Sequence, residues 1–244
     1  MEKLLAAITP HTRLVVINSP NNPTGWTLSR AEQQTILAHC RRTDTWILSD
    51  EVYENLYYLP TENRCAPSFL DFAAPLDRLV VAHSFSKSFL MTGWRLGWLV
   101  VPDALVPVIE RLAQNLFICA STVSQYAALA CFEPESLAIY EERRAAFKQR
   151  RDHVIPQLNA MGLPVPVMPD GAFYAWADCT QACARLGVKD SWDFAFEVMR
   201  RAHVAITPGR DFGQADAARF VRFSTASSMQ TLQTSVERLR QLLA

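Results

Sequence analysis

Runs of consecutive apolar residues alternate with a stretch of helical spacing over the first hundred or so positions. The apolar runs lie at 13–17, 46–48, 79–82 and 96–101, and each has the length of a β-strand. Residues 30–41 instead have the spacing of an amphipathic helix. Strands that read as continuous apolar runs are typical of sheets covered on both faces, so the pattern predicts an α/β layer structure.

The start of the first of these helices carries its own signal. Ser29 precedes the periodic segment, and Glu32 follows it three residues later. This spacing matches a capping box, in which each side chain accepts a hydrogen bond from the other residue's backbone amide. The sequence therefore predicts that the helix begins directly after Ser29.

The pattern changes in the second half of the chain. Residues 121–161 read as long and helical, with a charged face that we interpret as solvated. An α+β arrangement follows Gly162, with strands at 172–177, 204–207 and 220–224 and helices at 191–202 and 229–243. We place a domain boundary inside the long helix, which gives a first domain at 1–148 and a smaller second domain at 149–244.

Composition and charge exclude several classes of function. Lys plus Arg and Asp plus Glu both number 24, so no excess charge is available to hold a nucleic acid or an anionic membrane surface. The most apolar stretch, 96–109, is broken by two prolines and is too short to span a membrane, and the N-terminus lacks a secretion signal. The six cysteines and five histidines show no metal-ligand spacing, so the sequence predicts no metal site and reduced thiols. We expect a cytoplasmic protein that binds neither nucleic acid nor membrane.

Polar clusters follow three of the predicted strands, at the positions where open α/β sheets present ligand sites. Residues 18–25 read Asn-Ser-Pro-Asn-Asn-Pro-Thr-Gly, residues 49–53 read Ser-Asp-Glu-Val-Tyr, and residues 84–87 read Ser-Phe-Ser-Lys. Taken singly, the first cluster is a turn, Asp50 is a helix cap and Lys87 is a surface lysine. The chemistry of their neighbours changes that interpretation.

The neighbours of Asp50 and Lys87 indicate a cationic partner for the first and a phosphate site around the second. A carboxylate at the end of a buried strand is costly to desolvate unless a cation or several donors face it, so we expect Asp50 to have a positive partner. Lys87 follows the hydroxyls of Ser84 and Ser86, and Arg95 comes eight positions after it. Hydroxyls, backbone amides and a guanidinium together make a phosphate site.

The ordered set of motifs resembles that of the pyridoxal 5′-phosphate (PLP)-dependent class I/II aminotransferases. The matching segments are 22–25 (Asn-Pro-Thr-Gly), 50–53 (Asp-Glu-Val-Tyr), 84–87 (Ser-Phe-Ser-Lys), 92–97 (Thr-Gly-Trp-Arg-Leu-Gly), 169–174 (Pro-Asp-Gly-Ala-Phe-Tyr) and 221–224 (Val-Arg-Phe-Ser). The resemblance implies an aspartate aminotransferase-like fold, here a large-domain remnant with a mostly parallel sheet plus a C-terminal α+β small domain. A dinucleotide-binding alternative lacks the required Gly-x-Gly-x-x-Gly loop.

The resemblance also implies roles for the residues around the cofactor ring. Lys87 would hold PLP as a Schiff base and move the proton between the substrate Cα and the cofactor. Asp50 would pair with the pyridine nitrogen and keep it protonated, so that the ring can absorb electrons. Tyr53 and Asn22 would hydrogen-bond the 3′ oxygen of the ring.

The remaining implied roles concern two anionic groups. Ser84, Ser86 and Arg95 would hold the 5′-phosphate of PLP. Arg222 matches the arginine that grips the substrate α-carboxylate, a planar, bidentate contact for which lysine would be a poor substitute. Asn22 would also belong to the substrate-binding set.

Members of this family usually run to roughly 400 residues in two domains, so the resemblance implies that a segment preceding Met1 is missing. That segment would supply the ring that stacks on PLP and part of the phosphate contacts, and we expect little or no activity without it. The family usually forms homodimers, and we expect one here. Three hypotheses stay open: an aminotransferase acting on an amino acid and a 2-oxo acid, another PLP reaction such as β-elimination or decarboxylation, and a non-catalytic remnant.

Overall fold

The computed structural model describes every residue from Met1 to Ala244 and divides them into two units by their internal contacts. Unit 1 comprises Met1–Pro20 and Thr27–Glu142, and unit 2 comprises Asn21–Trp26 and Arg143–Ala244. The division falls inside the long helix, as does the domain boundary at 148/149, which stays a prediction. No helix in either unit combines the length and the apolar character needed to cross a lipid bilayer.

Unit 1 is built on four strands and the helices that connect them. Its strands are β1 (Leu14–Asn18), β2 (Trp46–Asp50), β3 (Leu79–Ser84) and β4 (Gly97–Val100). Its helices are α1 (Glu2–Ala7), α2 (Arg30–Thr43), α3 (Val106–Leu116) and α4 (Thr122–Leu129), and the long α5 (Pro134–Ala160) begins in unit 1 and ends in unit 2.

The sheet of unit 1 has the order β1-β2-β3-β4. The pairs β1–β2 and β2–β3 are parallel, and β3–β4 is antiparallel, which confirms the mostly parallel sheet. Asn18 lies opposite Asp50, and Asp50 lies opposite Ala82. The polar residues that end these strands therefore share one edge of the sheet, the edge formed by the carboxyl ends of the parallel strands.

Helix α2 confirms the capping box. The Ser29 hydroxyl accepts a hydrogen bond from the Glu32 amide at 3.3 Å, and the Glu32 carboxylate accepts one from the Ser29 amide at 2.8 Å. The helix continues to Thr43, two residues beyond the expected end, and buries Ile36 and Leu37 in the core that it shares with the strands. Its amphipathic spacing is what turns these two side chains toward the sheet.

Unit 2 has a separate sheet and core. Its strands are β5 (Tyr174–Asp178), β6 (Thr207–Pro208) and β7 (Phe220–Ser224), all antiparallel in the order β5-β7-β6. Its own helices are α6 (Thr180–Leu186), α7 (Ser191–Ala202) and α8 (Met229–Leu243). The core includes Leu158, Phe194 and Leu239, none of which exposes more than 1% of its surface.

The accuracy of the element predictions varies along the chain. Helices 191–202 and 229–243 and strand 220–224 are confirmed at both ends. The helical stretch 121–161 is two helices, α4 and α5, separated by a short turn. The prediction of a strand at 204–207 is wrong except at Thr207, because only Thr207 and Pro208 pair with β7. Helices α1, α3 and α6 were not predicted.

Candidate functional site

Asp50 ends β2 with its side chain half-buried. Its carbonyl oxygen accepts hydrogen bonds from the Asn18 side-chain amide and the Ser19 backbone amide, both at 3.1 Å, which fixes the end of the strand. Its carboxylate accepts one long hydrogen bond, from the Val52 amide at 3.4 Å, and forms no ion pair within the protein. Burial raises the pKa of Asp50, and the Val52 amide only opposes that shift. The structure thus leaves this carboxylate without a cationic neighbour.

Tyr53 lies in the turn that follows β2 and is buried, with 3% of its surface exposed. The turn is anchored to the sheet by a hydrogen bond from the Glu51 amide to the Ala82 carbonyl at 2.9 Å. A second bond, from the Leu56 amide to the Tyr53 carbonyl at 2.8 Å, closes the turn itself. The backbone that carries Tyr53 is therefore held close to the end of β3.

The loop between β3 and β4, residues 85–96, starts and ends at the same point of the sheet. Ser84 lies opposite Gly97 in the antiparallel pairing. A Cβ atom on residue 97 would lie 2.6 Å from the carbonyl oxygen of His83, closer than real Cβ contacts, so this approach of two backbones requires glycine. The close pairing holds the two ends of the loop together.

This loop carries the predicted lysine together with the predicted phosphate-binding side chains. The Ser84 hydroxyl accepts a hydrogen bond from the Ser86 amide at 3.0 Å. Lys87 is partly buried, and its amine makes no hydrogen bond or ion pair within the protein. Arg95, near the far end of the loop, is exposed and donates to the Thr92 carbonyl at 3.1 Å. Ser84, Ser86, Lys87 and Arg95 thus belong to one loop at the carboxyl end of β3.

Asn22 lies in a tightly bonded turn of unit 2. The Asn21 side-chain oxygen accepts hydrogen bonds from the amide and the hydroxyl of Thr24 at 3.1 and 2.8 Å. The Gly25 amide donates to the Asn21 carbonyl at 2.8 Å. These bonds span the Asn22–Pro23 peptide, which is cis. The bonds within the turn thus fix the backbone on either side of Asn22.

The end of this turn requires glycine. Gly25 has φ of +70°, and a Cβ atom there would lie 2.4 Å from the Cβ of Pro169. Its carbonyl accepts hydrogen bonds from the amides of Asp170 and Gly171 at 2.9 and 3.0 Å. Two of the motif segments, 22–25 and 169–174, are therefore in direct contact within unit 2.

Arg222, on β7, meets Asn22 across two hundred residues of sequence. Its guanidinium donates to the Asn22 side-chain oxygen at 2.7 Å and to the Thr207 hydroxyl at 3.4 Å. The guanidinium carbon lies 4.4 Å from the ring centre of Tyr174 and 4.6 Å from that of Phe212. Nε is buried and has no hydrogen-bond partner, and no carboxylate of the protein pairs with Arg222. An oriented, unneutralised guanidinium of this kind suits a carboxylate ligand.

The predicted site residues divide between the two units. Unit 1 contains Asp50, Tyr53, Ser84, Ser86, Lys87 and Arg95, and unit 2 contains Asn22 and Arg222, which touch each other. The residues that orient Arg222 were not predicted. They are Thr207, Phe212 and Tyr174, and only Tyr174 lies in one of the matching motif segments. The pairing of β6 with β7 places Thr207 opposite Arg222. A strand predicted at its true bounds would have indicated this neighbour, but the strand was predicted at 204–207.

Comparison with known protein families gives a match over nearly the whole chain. A family described as "Aminotransferase class I and II" matches residues 1–239. The chain is 36% identical to "Aromatic-amino-acid aminotransferase 2" of Thermococcus litoralis, over 100% of this chain and 60% of that protein. It is 35% identical to "Valine--pyruvate aminotransferase" of Mycobacterium tuberculosis, over 97% and 58%. The chain thus spans about three fifths of the length of these relatives.

Solved structures agree with the sequence matches. An aminotransferase from Mycobacterium tuberculosis superposes with a TM-score of 0.89 at 35% identity, covering 99% of this chain and 60% of that one. An aromatic aminotransferase from Pyrococcus horikoshii gives 0.89 at 33%, covering 99% and 62%. A double mutant of Thermus thermophilus aspartate aminotransferase gives 0.88 at 31%, covering 99% and 59%.

Proposed function

This chain belongs to the class I and II aminotransferase family, and on that premise we propose that it transfers an amino group between an amino acid and a 2-oxo acid with the help of PLP. The family is PLP-dependent, and the fold is aspartate aminotransferase-like, as the motifs implied. When bound, PLP supplies an electron sink for the negative charge that develops at the substrate Cα.

The observation that carries the proposal is the environment of Asp50. Its carboxylate is half-buried, has a raised pKa and meets no cation of the protein. A protonated ring nitrogen would provide the missing positive partner, and the carboxylate would in turn hold the proton on that nitrogen. The residue therefore fits the cofactor on the grounds of its own electrostatics, independently of the motif.

Lys87 is the residue to which we assign cofactor attachment and proton transfer. Its amine has no competing ion pair, and Asp50 ends the strand next to the one from which its loop departs. The hydroxyls of Ser84 and Ser86 and the guanidinium of Arg95 belong to the same loop and would bind the phosphate. With the phosphate held, the amine of Lys87 would take and return the Cα proton as a general base.

Arg222 is the residue to which we assign the substrate α-carboxylate. One terminal nitrogen of the guanidinium donates a hydrogen bond to Asn22, and the other donates a long hydrogen bond to Thr207. Nε has no hydrogen-bond partner. The rings of Tyr174 and Phe212 restrict the orientation of the guanidinium plane. A guanidinium oriented before the substrate arrives loses less entropy on binding.

Transamination is favoured over elimination and decarboxylation because the relatives reported above are all named aminotransferases. Their names differ in substrate, aromatic amino acids in one case and valine and pyruvate in another, so we propose no particular amino acid.

We also propose a homodimer in the cytoplasm. Supporting this, Leu116, Phe117 and Ile118 of unit 1 are 77%, 60% and 80% exposed, and all six cysteines are free.

Reductive labelling tests the proposal. The protein is incubated with PLP and reduced with borohydride, and its peptides are analysed by mass spectrometry. The chain has four lysines, and we expect the pyridoxyl group on the peptide that contains Lys87. Lys87→Ala should lose the label, and the matched control Lys189→Ala, an exposed lysine, should keep it. Label on Lys3, Lys148 or Lys189 that survives Lys87→Ala would contradict the assignment.

A further inference from the structure

A second cluster of titratable side chains in unit 1 takes no part in the proposed reaction. Glu51 and Glu54 lie in the turn that follows β2, and His83 lies near the end of β3. Each offers one potential ligand atom, and these three atoms all lie within 4.8 Å of one another. Nδ1 of His83 is 3.6 Å from Oε1 of Glu54. Three potential metal ligands thus converge on one small volume.

Glu51 is the most deeply buried member of the cluster, with 1% of its surface exposed. Its Oε1 accepts hydrogen bonds from the Ser49 hydroxyl at 2.8 Å and the Phe69 amide at 3.2 Å. Its Oε2 is equally buried and has no hydrogen-bond partner, and the nearby Ser68 hydroxyl only partly opposes the rise that burial causes in the pKa of Glu51. A buried carboxylate oxygen without a donor costs free energy of folding unless a cation or a proton satisfies it.

Glu54 adds a second carboxylate without adding a positive charge. Burial and the charge of Glu51 raise the pKa of Glu54 to about 7. No lysine or arginine pairs with either glutamate, and Asp71 acts on both in the same unfavourable direction. No cation of the protein therefore balances the negative charge that these two carboxyl groups carry when they are ionised.

His83 provides the third ligand in a fixed orientation. Its side chain is 7% exposed, and its ring stacks on Trp98 with centroids 4.8 Å apart and planes inclined by 15°. Burial lowers the pKa of His83, so its imidazole is neutral near pH 7. Neutral imidazole is the form that binds metal ions, and a locked ring loses little freedom on doing so.

We propose that Glu51, Glu54 and His83 bind one Zn²⁺ ion. Carboxylate oxygen and neutral imidazole nitrogen are ligands that zinc accepts, and three protein ligands leave a fourth position for water. The ion would satisfy Oε2 of Glu51 and neutralise both carboxylates. Glu54, whose side chain is 23% exposed, offers a path from solvent. The bound ion would tie the turn that carries Tyr53 to the end of β3.

This proposal departs from the prediction, made from the spacing of the cysteines and histidines, that the chain has no metal site. The ligands, however, come from two segments about thirty residues apart, and no local spacing connects them. They meet because the parallel pairing of β2 with β3 places Asp50 opposite Ala82, so the turn that follows Asp50 comes to the same edge of the sheet as His83, the residue after Ala82.

Metal binding by the untagged chain without PLP tests the proposal. The protein is stripped with a chelator and titrated with Zn²⁺ in a calorimeter, and the bound metal is counted by elemental analysis. We expect one zinc per chain. Changes around metal ligands already cost about 10–100-fold in affinity, so Glu54→Gln should weaken binding at least about tenfold. The matched control Glu62→Gln, an exposed glutamate of unit 1, should bind as the unsubstituted chain does.

Thermal unfolding provides a readout that does not depend on calorimetric stoichiometry. Saturating Zn²⁺ should raise Tm of the unsubstituted chain and of Glu62→Gln, because a ligand of the native state stabilises it. At the same zinc concentration, Tm should rise less in Glu54→Gln and in His83→Gln than in the unsubstituted chain. A chain that binds no zinc, and that Glu54→Gln stabilises, would show that a shared proton occupies the cluster. Zinc binding that persists in both variants would place the ion elsewhere; either result overturns the proposal.

Discussion

Unit 2 encloses most of its large apolar side chains, whereas unit 1 leaves many of its own exposed. Unit 2 has one core of twenty buried residues, in which Phe194 and Val198 are completely buried. In unit 1, β1 exposes 64% of Val16, and α3 has no buried residue at all. Leu116, at the end of α3, is 77% exposed. Unit 2 therefore buries its apolar residues against its own residues, whereas many apolar residues of unit 1 find no such covering within that unit.

The difference bears on how each unit holds its functional side chains. Arg222 lies on a strand of a closed core, so unit 2 orients it with its own packing. Asp50 and Lys87 lie at the end of a sheet and in a loop of unit 1, where helix α3 has no buried residue. Contiguous exposed apolar surface favours association or low stability. We expect the carboxylate-binding residues to be the robust part of the protein and the cofactor-binding residues to be the sensitive part.

Cutting the chain before α5, which leaves all of unit 2 except Asn21–Trp26 in the second fragment, should produce the largest effect. A fragment of residues 134–244, which keeps α5 whole, should unfold cooperatively, because the twenty-residue core is contained in it. A fragment of residues 1–133 should associate or unfold without cooperativity. Calorimetry and sedimentation of both fragments measure this. A cooperative, monomeric 1–133 fragment beside an unfolded 134–244 fragment would reverse the comparison.

Asp50→Asn should have the next largest effect, on turnover. The substitution preserves the shape of the side chain and removes the charge that we assign to the ring nitrogen. PLP should stay bound, while the rate of a single reaction cycle should fall at least about a hundredfold, since a lost electrostatic contact of this kind costs about 3 kcal/mol or more. The exposed control Asp103→Asn should turn over normally. Near-normal turnover by Asp50→Asn would remove Asp50 from the mechanism.

Two leucine truncations compare the units directly. Leu239→Ala, at a position 1% exposed in unit 2, should lower the free energy of unfolding by about 2–5 kcal/mol, because it leaves a cavity. Leu116→Ala, at a position 77% exposed in unit 1, should change the free energy of unfolding of the dissociated chain by no more than about 0.5 kcal/mol. Denaturant titration of both variants, at a dilution at which the proposed homodimer dissociates, gives the two values. Equal losses under that condition would contradict the comparison.

Arg222→Lys should have a moderate effect confined to substrate binding. A point charge replaces a planar fork, so the KM for the amino acid should rise by roughly tenfold or more while PLP retention is unchanged. The exposed control Arg200→Lys should leave KM unaltered. Loss of PLP from Arg222→Lys with an unchanged KM would argue for a role in cofactor binding instead.

The smallest effect should come from an ion pair in unit 1. Arg41 donates two hydrogen bonds to Asp77, at 2.7 and 2.6 Å, and holds the pKa of Asp77 below its ordinary value. Because the folded pKa is the lower one, this stability is present above the unfolded pKa and is lost as pH falls through the folded value. Asp77→Asn should cost about 1 kcal/mol or less at neutral pH and reduce the loss at acid pH. An unchanged acid profile would show that the pair contributes nothing.

Elements with regular periodicity and local caps could be predicted from the sequence. Helix α7 begins after Asp190, whose carboxylate accepts hydrogen bonds from the amides of Trp192 and Asp193, so the signal for its start is local. Strand β7 reads as an alternating segment and was placed at its true bounds. The two-residue β6 and the seven-residue α6 were missed, because such short elements depend on tertiary partners rather than on propensity.

The residues of the candidate site also divide into those that local motifs could predict and those that depend on tertiary pairing. Asp50, Lys87 and Arg95 lie within contiguous motifs, so their order along the chain pointed to one function. The aromatic rings that clamp Arg222 and the cluster around Glu51 are assembled by strand register. Residues distant in sequence become neighbours only once the pairing of β2 with β3 or of β6 with β7 is known.

The product of a single reaction cycle tests the central claim most directly. The chain is saturated with PLP, mixed with a panel of amino acids and analysed after one turnover, so that slow catalysis is still detected. The account predicts a 2-oxo acid together with an equal amount of aminated cofactor, formed by the unsubstituted chain and by Lys189→Ala but not by Lys87→Ala. Release of ammonia or carbon dioxide without aminated cofactor, or an equal yield from Lys87→Ala, would contradict it.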